Sequence, residues 1–109
     1  MRPKRVVVIL GAAAVMAAAS IAAVAKAVEG DRPACVGARS EARWGAYGYD
    51  HLVYVRNSCE KPADCTISTD VNPSPVRATI APSREEIFVT FRGSPASAFQ
   101  ARVACTLQD

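Results

Sequence analysis

Four cysteines have the most definite chemistry in this 109-residue chain: Cys35, Cys59, Cys65 and Cys105. A zinc site usually draws its ligands from closely spaced Cys and His pairs, but the chain has no Cys-x-x-Cys pair and only 1 His. An even number of cysteines in a short chain whose first 27 residues have the layout of an export signal is typical of disulfides. We therefore predict two bridges, no metal and no cofactor. All three pairings stay open, because the spacing does not choose between them.

A second group of chemically capable residues lies in segment 44–51, Trp-Gly-Ala-Tyr-Gly-Tyr-Asp-His, which holds the only tryptophan and the only histidine. Aromatic rings with a polar edge suit a sugar ring or a protein hot spot, and an arginine can bind a carboxylate with two hydrogen bonds. We therefore predict a binding surface at one end of the domain, made of six aromatic, polar and basic side chains: Trp44, Tyr47, Tyr49, His51, Asn72 and Arg92.

The same residues allow two other interpretations. In a purely structural one, Trp44 and Tyr49 cover the end of the core, and Arg92 pairs with Asp50 or Asp70 to hold the turns. In a catalytic one, His51 acts as a base beside one of these aspartates, but no nucleophile can be named for it. The chain also lacks Gly-x-Ser-x-Gly, a phosphate-binding glycine loop and His-Glu-x-x-His, so we predict that it is not an enzyme.

Short strands must position these side chains. Alternation of apolar and polar residues predicts four strands, and a β-branched and aromatic run predicts a more deeply buried fifth at 52–57. The alternating segments are 65–71, 76–80, 87–92 and 99–107. Segment 35–44 is a sixth candidate, with a helical turn as its alternative. Turns rich in Pro and Gly separate them, so the chain predicts an all-β, antiparallel immunoglobulin-like β-sandwich of six or seven short strands with two disulfides. An open barrel is the alternative.

Successive strands that reverse direction sort their connections to the two ends of a sandwich. All four cysteines then fall at one end. The aromatic segment 44–50, the turn 71–75 and the loop 92–98 fall at the other, which is where the predicted binding surface would lie.

Residues 1–27 have the layout of a secretory signal peptide: a basic start, an apolar stretch over 6–25 and a small-residue site at Ala25-Lys26-Ala27. An uncleaved anchor is the alternative, because about 20 apolar residues suffice to cross a bilayer. Residues 28–109 then form one disulfide-stabilised domain in the periplasm or the medium. Of the 13 basic residues, 9 lie in this domain against all 10 acidic ones, so no basic surface for nucleic acid is expected. Membrane contact would come only through an uncleaved leader.

Four runs carry a resemblance to a group of small exported bacterial β proteins of unknown function. They are 49–59, 65–73 with Thr-Asp-Val-Asn-Pro, 90–95 with Arg-Gly-Ser-Pro, and 102–105. The resemblance implies the compartment and a β fold, and it brings no activity with it.

These observations favour a non-enzymatic exported binding or structural module of the cell envelope, contacting a glycan or a protein. The alternative is a secreted inhibitor of a protease or muramidase. The loop 59–65 offers Lys61 to a trypsin-like protease, although Pro62 directly after that lysine disfavours this mode.

Overall fold

The computed structural model describes residues 28–109, and the predicted leader over 1–27 lies outside the described residues. Residues 28–109 form six strands and no helix, which confirms the all-β prediction. The strands are β1 (Val36–Gly45), β2 (Gly48–Asn57), β3 (Ala63–Thr69), β4 (Val76–Ile80), β5 (Arg84–Ser94) and β6 (Ala101–Leu107). In this part of the chain no helix is long and apolar enough to span a membrane.

The strands form two antiparallel sheets of three, in the orders β1-β2-β5 and β4-β3-β6. As in an immunoglobulin-type sandwich, β1, β2 and β5 share one sheet and β3 and β6 share the other, but β4 lies in the second sheet beside β3. The prediction of an antiparallel β-sandwich is therefore confirmed, with six strands. Residues 36–44 of this segment form a strand, so the alternative of a helical turn there is wrong.

The core lies between the two sheets, where side chains of alternate residues point inward. Five aliphatic side chains at its centre are fully buried: Val53, Val55, Ile67, Ile80 and Val103. Both faces of β2 are buried over this stretch, because Leu52 and Tyr54 on its outer face are covered as well as the inward-facing valines. This agrees with the prediction that β2 is the most deeply buried strand.

The most apolar face of β5 points to solvent, and its less apolar face packs on the core. Ile87, Val89 and Phe91 remain 57%, 41% and 38% exposed, whereas Phe88 packs on the core and Thr90 is buried. β5 is an edge strand, and its pairing with β2 shifts register on both sides of His51. The alternation therefore marks β5 as a strand but does not identify its inner face.

Two disulfides join Cys35 to Cys59 and Cys65 to Cys105. The first links the residue before β1 to the connection after β2. The second joins directly opposed residues of β3 and β6, whose Cα atoms are 4.1 Å apart. All four cysteines lie toward one end of the sandwich, as predicted, and this end is called the cysteine end below. The loop 59–65 is not closed by a bridge of its own.

Residues Val28–Arg32, called the N-terminal strap, lie along the outer edge of β6. Its backbone runs parallel to β6, with Glu29 paired to Arg102, and the Val28 side chain is buried in the core. Three backbone hydrogen bonds join the strap to β6: Glu29 N–H to Ala101 O, Val103 N–H to Glu29 O and Cys105 N–H to Asp31 O. The strap thus occupies the edge where a seventh strand would continue an immunoglobulin-type sheet.

The Arg32 side chain fastens the strap at its end. Its guanidinium donates hydrogen bonds to the carbonyl oxygens of Val28 at 3.2 Å, Glu29 at 3.2 Å and Val103 at 3.0 Å. Because a guanidinium has five N–H donors in a planar fork, it can satisfy several such acceptors at once. The strap is therefore held both by ladder hydrogen bonds and by one side chain.

Candidate binding surface at the hairpin end

The segment predicted as a loop over 44–50 is a tight β-hairpin. β1 runs to Gly45 and β2 begins at Gly48, so only Ala46 and Tyr47 form the turn. Trp44 and Tyr49 are consequently paired strand residues and not loop residues. The sequence prediction located the turn correctly but made it too long. Glycine is typical of turns, whereas Gly45 and Gly48 are the last residue of β1 and the first residue of β2.

The aromatic side chains of this hairpin face solvent. Tyr47 is 91% exposed and Trp44 is 69% exposed, whereas Tyr49 is half-buried. The Trp44 and Tyr49 rings meet edge to face, with centroids 4.9 Å apart and planes 70° apart. Trp44, Tyr47 and Tyr49 are called the aromatic tip below. The interpretation of Trp44 as a cover on the core does not fit its exposure.

The tip is exposed because the hairpin extends past the opposite sheet. β3 ends at Thr69, which pairs with the first residue of β6, Ala101. Close to this level His51 of β2 stacks on Phe99, with ring centroids 4.1 Å apart. The residues of β2 before His51 have no opposing strand of the second sheet to cover them. The β1–β2 hairpin, with the end of β5 beside it, therefore extends beyond the second sheet and carries the aromatic rings. This end of the sandwich is called the hairpin end below.

The hairpin rests against the end of β5. Gly48 has φ +130°, and a Cβ there would lie 2.8 Å from the Ser94 carbonyl oxygen, so the close approach requires glycine. The Asp50 carboxylate accepts a hydrogen bond from the Gly93 N–H at 3.2 Å. These contacts fix the base of the hairpin on a neighbouring strand.

A salt bridge at 3.7 Å links Arg92 to Asp50 beside the tip, while the Arg92 side chain stays 74% exposed. This is one of the two pairings foreseen by the structural interpretation. The tip and this ion pair border a surface depression of about 350 Å³ lined by Ala46, Tyr47, Asp50, Arg92 and Gly93. An apolar ring beside a neutralised ion pair can contact a ligand that has both apolar and polar groups.

Two of the six predicted residues do not contribute to this surface. His51 is fully buried, with its Nε2 2.8 Å from the Ala96 carbonyl oxygen, to which it donates. The Asn72 side chain donates to the Thr90 carbonyl oxygen at 2.7 Å and accepts from Ser74 N–H, so it holds the 71–75 turn against β5. The sequence prediction grouped them because their segments fall at the same end of the sandwich, which does not determine whether a side chain points inward.

The aspartates considered as partners of His51 are engaged elsewhere. Asp50 binds Arg92 and the Gly93 N–H, and Asp70 accepts a hydrogen bond from the Gln100 N–H at 2.9 Å. The candidate base is therefore buried on a backbone carbonyl, and both carboxylates have structural contacts. Among residues 28–109, neither carboxylate is hydrogen-bonded to His51, as an acid–base pair would require.

A polar cluster covers the outer face of the same hairpin. The Tyr54 hydroxyl donates to Glu41 at 2.6 Å, Arg43 donates to both groups, and the Arg39 guanidinium lies 3.6 Å from the Tyr54 ring centroid. The Tyr54 hydrogen bond, followed by that of Arg43, lowers the pKa of Glu41. The Glu41 contact and then burial raise the pKa of Tyr54. Sequence reasoning missed this cluster, although Arg39, Glu41 and Arg43 alternate along β1.

Comparisons with known proteins add no further assignment. No protein-family model, curated protein or solved structure matches the chain. Within residues 28–109, no group of three or more His, Cys, Asp or Glu side chains is placed to hold a metal ion. A function for this chain is therefore inferred from the geometry of the hairpin end.

Proposed function

We propose that this protein is a non-enzymatic, exported binding module of the cell envelope, and that the aromatic tip with Arg92 is its contact surface. The observation that carries the proposal is the exposure of Trp44 and Tyr47 at the end of a well-filled core. Large aromatic side chains are enriched at the centres of binding interfaces, where their burial supplies much of the affinity. Neither side chain is needed to close the core.

The support of the tip also favours binding. Tyr49 packs against Trp44, and Asp50 bonds to the backbone of β5, so the hairpin base is held before any ligand arrives. A surface that is ordered in advance loses less conformational entropy on binding. Two strands joined by a two-residue turn therefore suit a contact surface better than a long loop would.

The two disulfides agree with an oxidising compartment, since such bonds are rare where thiols are kept reduced. The leader-like composition of residues 1–27 refines this to the periplasm or the medium as part of the proposal. The contact partner would then be a component of the envelope or the surrounding medium.

The test is retention of the full chain on isolated cell-envelope material, comparing the unchanged protein with Trp44→Ala and Tyr47→Ala. We expect both variants to lose most of the retention, by about tenfold or more, because each removes an exposed aromatic ring. Ile87→Ala is the matched control, since Ile87 is a 57% exposed apolar residue on β5 that pairs with Tyr54, toward the cysteine end. Far-UV circular dichroism checks that all variants are folded.

Retention equal to that of the unchanged protein in both tip variants would contradict the proposal. A tight one-to-one complex with a protease or muramidase, with no retention on envelope material, would favour the alternative of a secreted inhibitor.

A further inference from the structure

The N-terminal strap determines where residues 1–27 leave the domain. It runs parallel to β6, so the chain followed backward from Asp31 to Val28 moves from the level of Cys105 to that of Ala101. Ala101 begins β6 at the hairpin end of the sandwich. Val28, to which residues 1–27 are joined, therefore lies at the end that carries the aromatic tip, and not at the cysteine end.

The link between the strap and the apolar stretch 6–25 is very short. Only Lys26 and Ala27 separate Ala25 from Val28. Three residue steps span at most about 11 Å. The tip projects a similar distance, because Tyr47 lies four residues beyond His51 along the hairpin, or about 13 Å at the rise of a strand. Tyr47 therefore lies about as far beyond the level of His51 as three residue steps before Val28 can span. The cysteine end lies about 30 Å from Tyr47, one ten-residue strand away.

The chemistry of the tip suits this location. Trp and Tyr are enriched where membrane proteins cross from hydrocarbon to water, because their rings are apolar and their N–H and O–H groups stay hydrated. The tip presents one Trp and two Tyr on a single hairpin. The adjacent Arg92 is exposed and can approach lipid phosphate groups.

We propose that, while residues 1–27 remain attached, the aromatic tip rests in the headgroup region of the bilayer that holds the apolar stretch 6–25. The partner of the contact surface is then a lipid bilayer. This inference rests on the proposed function, because it assigns a partner to the same surface, and on the anchor interpretation of the leader. It orients the domain with its hairpin end on the membrane and its cysteine end away from it.

The contact is expected to depend on aromatic insertion more than on charge. Asp50 neutralises Arg92, and the tip carries no cluster of basic residues. Added salt screens the attraction of basic segments to anionic lipids, but it does not weaken the partition of aromatic rings into the interface. Bilayer contact of the tip should therefore persist in high salt.

The experiment uses Trp44 as a built-in reporter, since it is the only Trp in the chain. The full chain is reconstituted into vesicles of phosphatidylethanolamine and phosphatidylglycerol, and Trp emission is measured with aqueous iodide and with lipids brominated near the headgroup. We expect a blue-shifted emission, quenching by the brominated lipids and an iodide quenching constant reduced about threefold or more relative to an exposed reporter.

The matched control moves the reporter to the cysteine end by combining Trp44→Phe with Lys61→Trp. Lys61 is exposed, and we expect the relocated Trp to remain fully open to iodide on the same vesicles. A second variant, Tyr47→Asp, leaves Trp44 in place and should increase its exposure to iodide, because a carboxylate disfavours the interface.

Equal iodide access at the two reporter positions, or failure of the full chain to associate with vesicles, would overturn the inference. If Trp44→Ala nevertheless abolishes retention on lipid-free envelope polymers, the proposed function stands and only its bilayer partner is wrong. If the tip variants change neither measurement, both proposals fail.

Discussion

Trp44 and Tyr49 stand directly opposite each other on β1 and β2, and their rings meet edge to face with centroids 4.9 Å apart. Because Trp44 is mostly exposed, we expect Trp44→Ala to lower the free energy of unfolding by only about 1 kcal/mol, the typical value of an aromatic pair. Tyr49→Ala loses the same pair and also half-buried area, so about 2 kcal/mol is expected. Urea unfolding followed by far-UV circular dichroism measures both. A loss above about 3 kcal/mol for Trp44→Ala would mean that the ring supports the core.

The two disulfides should contribute comparably large amounts to stability. Their sequence separations are 24 and 40 residues, and the chain-entropy relation gives about 3.5 and 4 kcal/mol for loops of these lengths. We expect the double substitution Cys65→Ala and Cys105→Ala to be the more harmful, since both of its side chains also belong to the buried core. Urea unfolding of the two double variants, beside non-reducing peptide mapping of the unchanged protein, checks this. Mapping that links Cys59 to Cys65 would contradict the structure.

Gly30 lies so close to β6 that a Cβ at this position would overlap the carbonyl group of Val103, and its φ is +115°. Gly30→Ala should therefore lift the N-terminal strap off the sheet. The amide protons of Val103 and Cys105, which bond to the strap, should then exchange with solvent much faster.

Arg32→Ala should have a similar but weaker effect on the same two amides, because it removes the side chain that fastens the strap. Arg102→Ala is its control, since that exposed arginine only approaches Glu29 at 4.0 Å. For the Gly30→Ala variant, unchanged protection of the Val103 and Cys105 amides would contradict the prediction, because the strap would then tolerate a side chain at position 30.

The hydrogen bonds that the Glu41 carboxylate accepts should make the fold less stable at acidic pH than at neutral pH. They lower the pKa of the folded carboxyl below its ordinary value of 4.5, so their contribution is present above about pH 4.5 and is lost as the pH falls through the folded value. The hydrogen bonds from Thr79 and Gln108 also lower the pKa of Asp64, so its contribution is likewise lost as the pH falls through its folded value. We expect Glu41→Gln to show a smaller drop in melting temperature between pH 6 and pH 3 than the unchanged protein. Glu86→Gln, on the exposed part of β5, is the control, and an equal drop in all three would refute this prediction.

His51 is expected to matter for stability through packing. Its ring is fully buried, stacks on Phe99 and donates to the Ala96 carbonyl oxygen. His51→Ala should lower the free energy of unfolding by about 3 kcal/mol, because it leaves a cavity and an unpaired carbonyl group. Chemical unfolding measures this, and a change below about 1 kcal/mol would contradict the buried position.

Much of the fold could be predicted from local pattern. Alternating residues between Pro and Gly turns locate four of the six strands, because the side-chain period of a strand is visible in the sequence. A β-branched and aromatic run locates β2, whereas a helical turn stayed open as the alternative for β1. The direction of successive strands then places the four cysteines at one end. Alternation does not identify the inner face of β5, because it places one phenylalanine on each face of the strand. Phe88 packs on the core, and Phe91 lies on the outer face. Which side is buried depends on the sheet that packs against it.

The candidate site, like the fold, could be predicted only in part. Residue types alone identified the aromatic segment and Arg92 as chemically capable, and the even number of cysteines in a short chain predicted two disulfides. Only the tertiary structure decided that Trp44 and Tyr47 face solvent while His51 is buried, because exposure depends on where the second sheet stops. It also decided the disulfide pairing and the position of the strap on β6, since both depend on contacts between residues far apart in the chain.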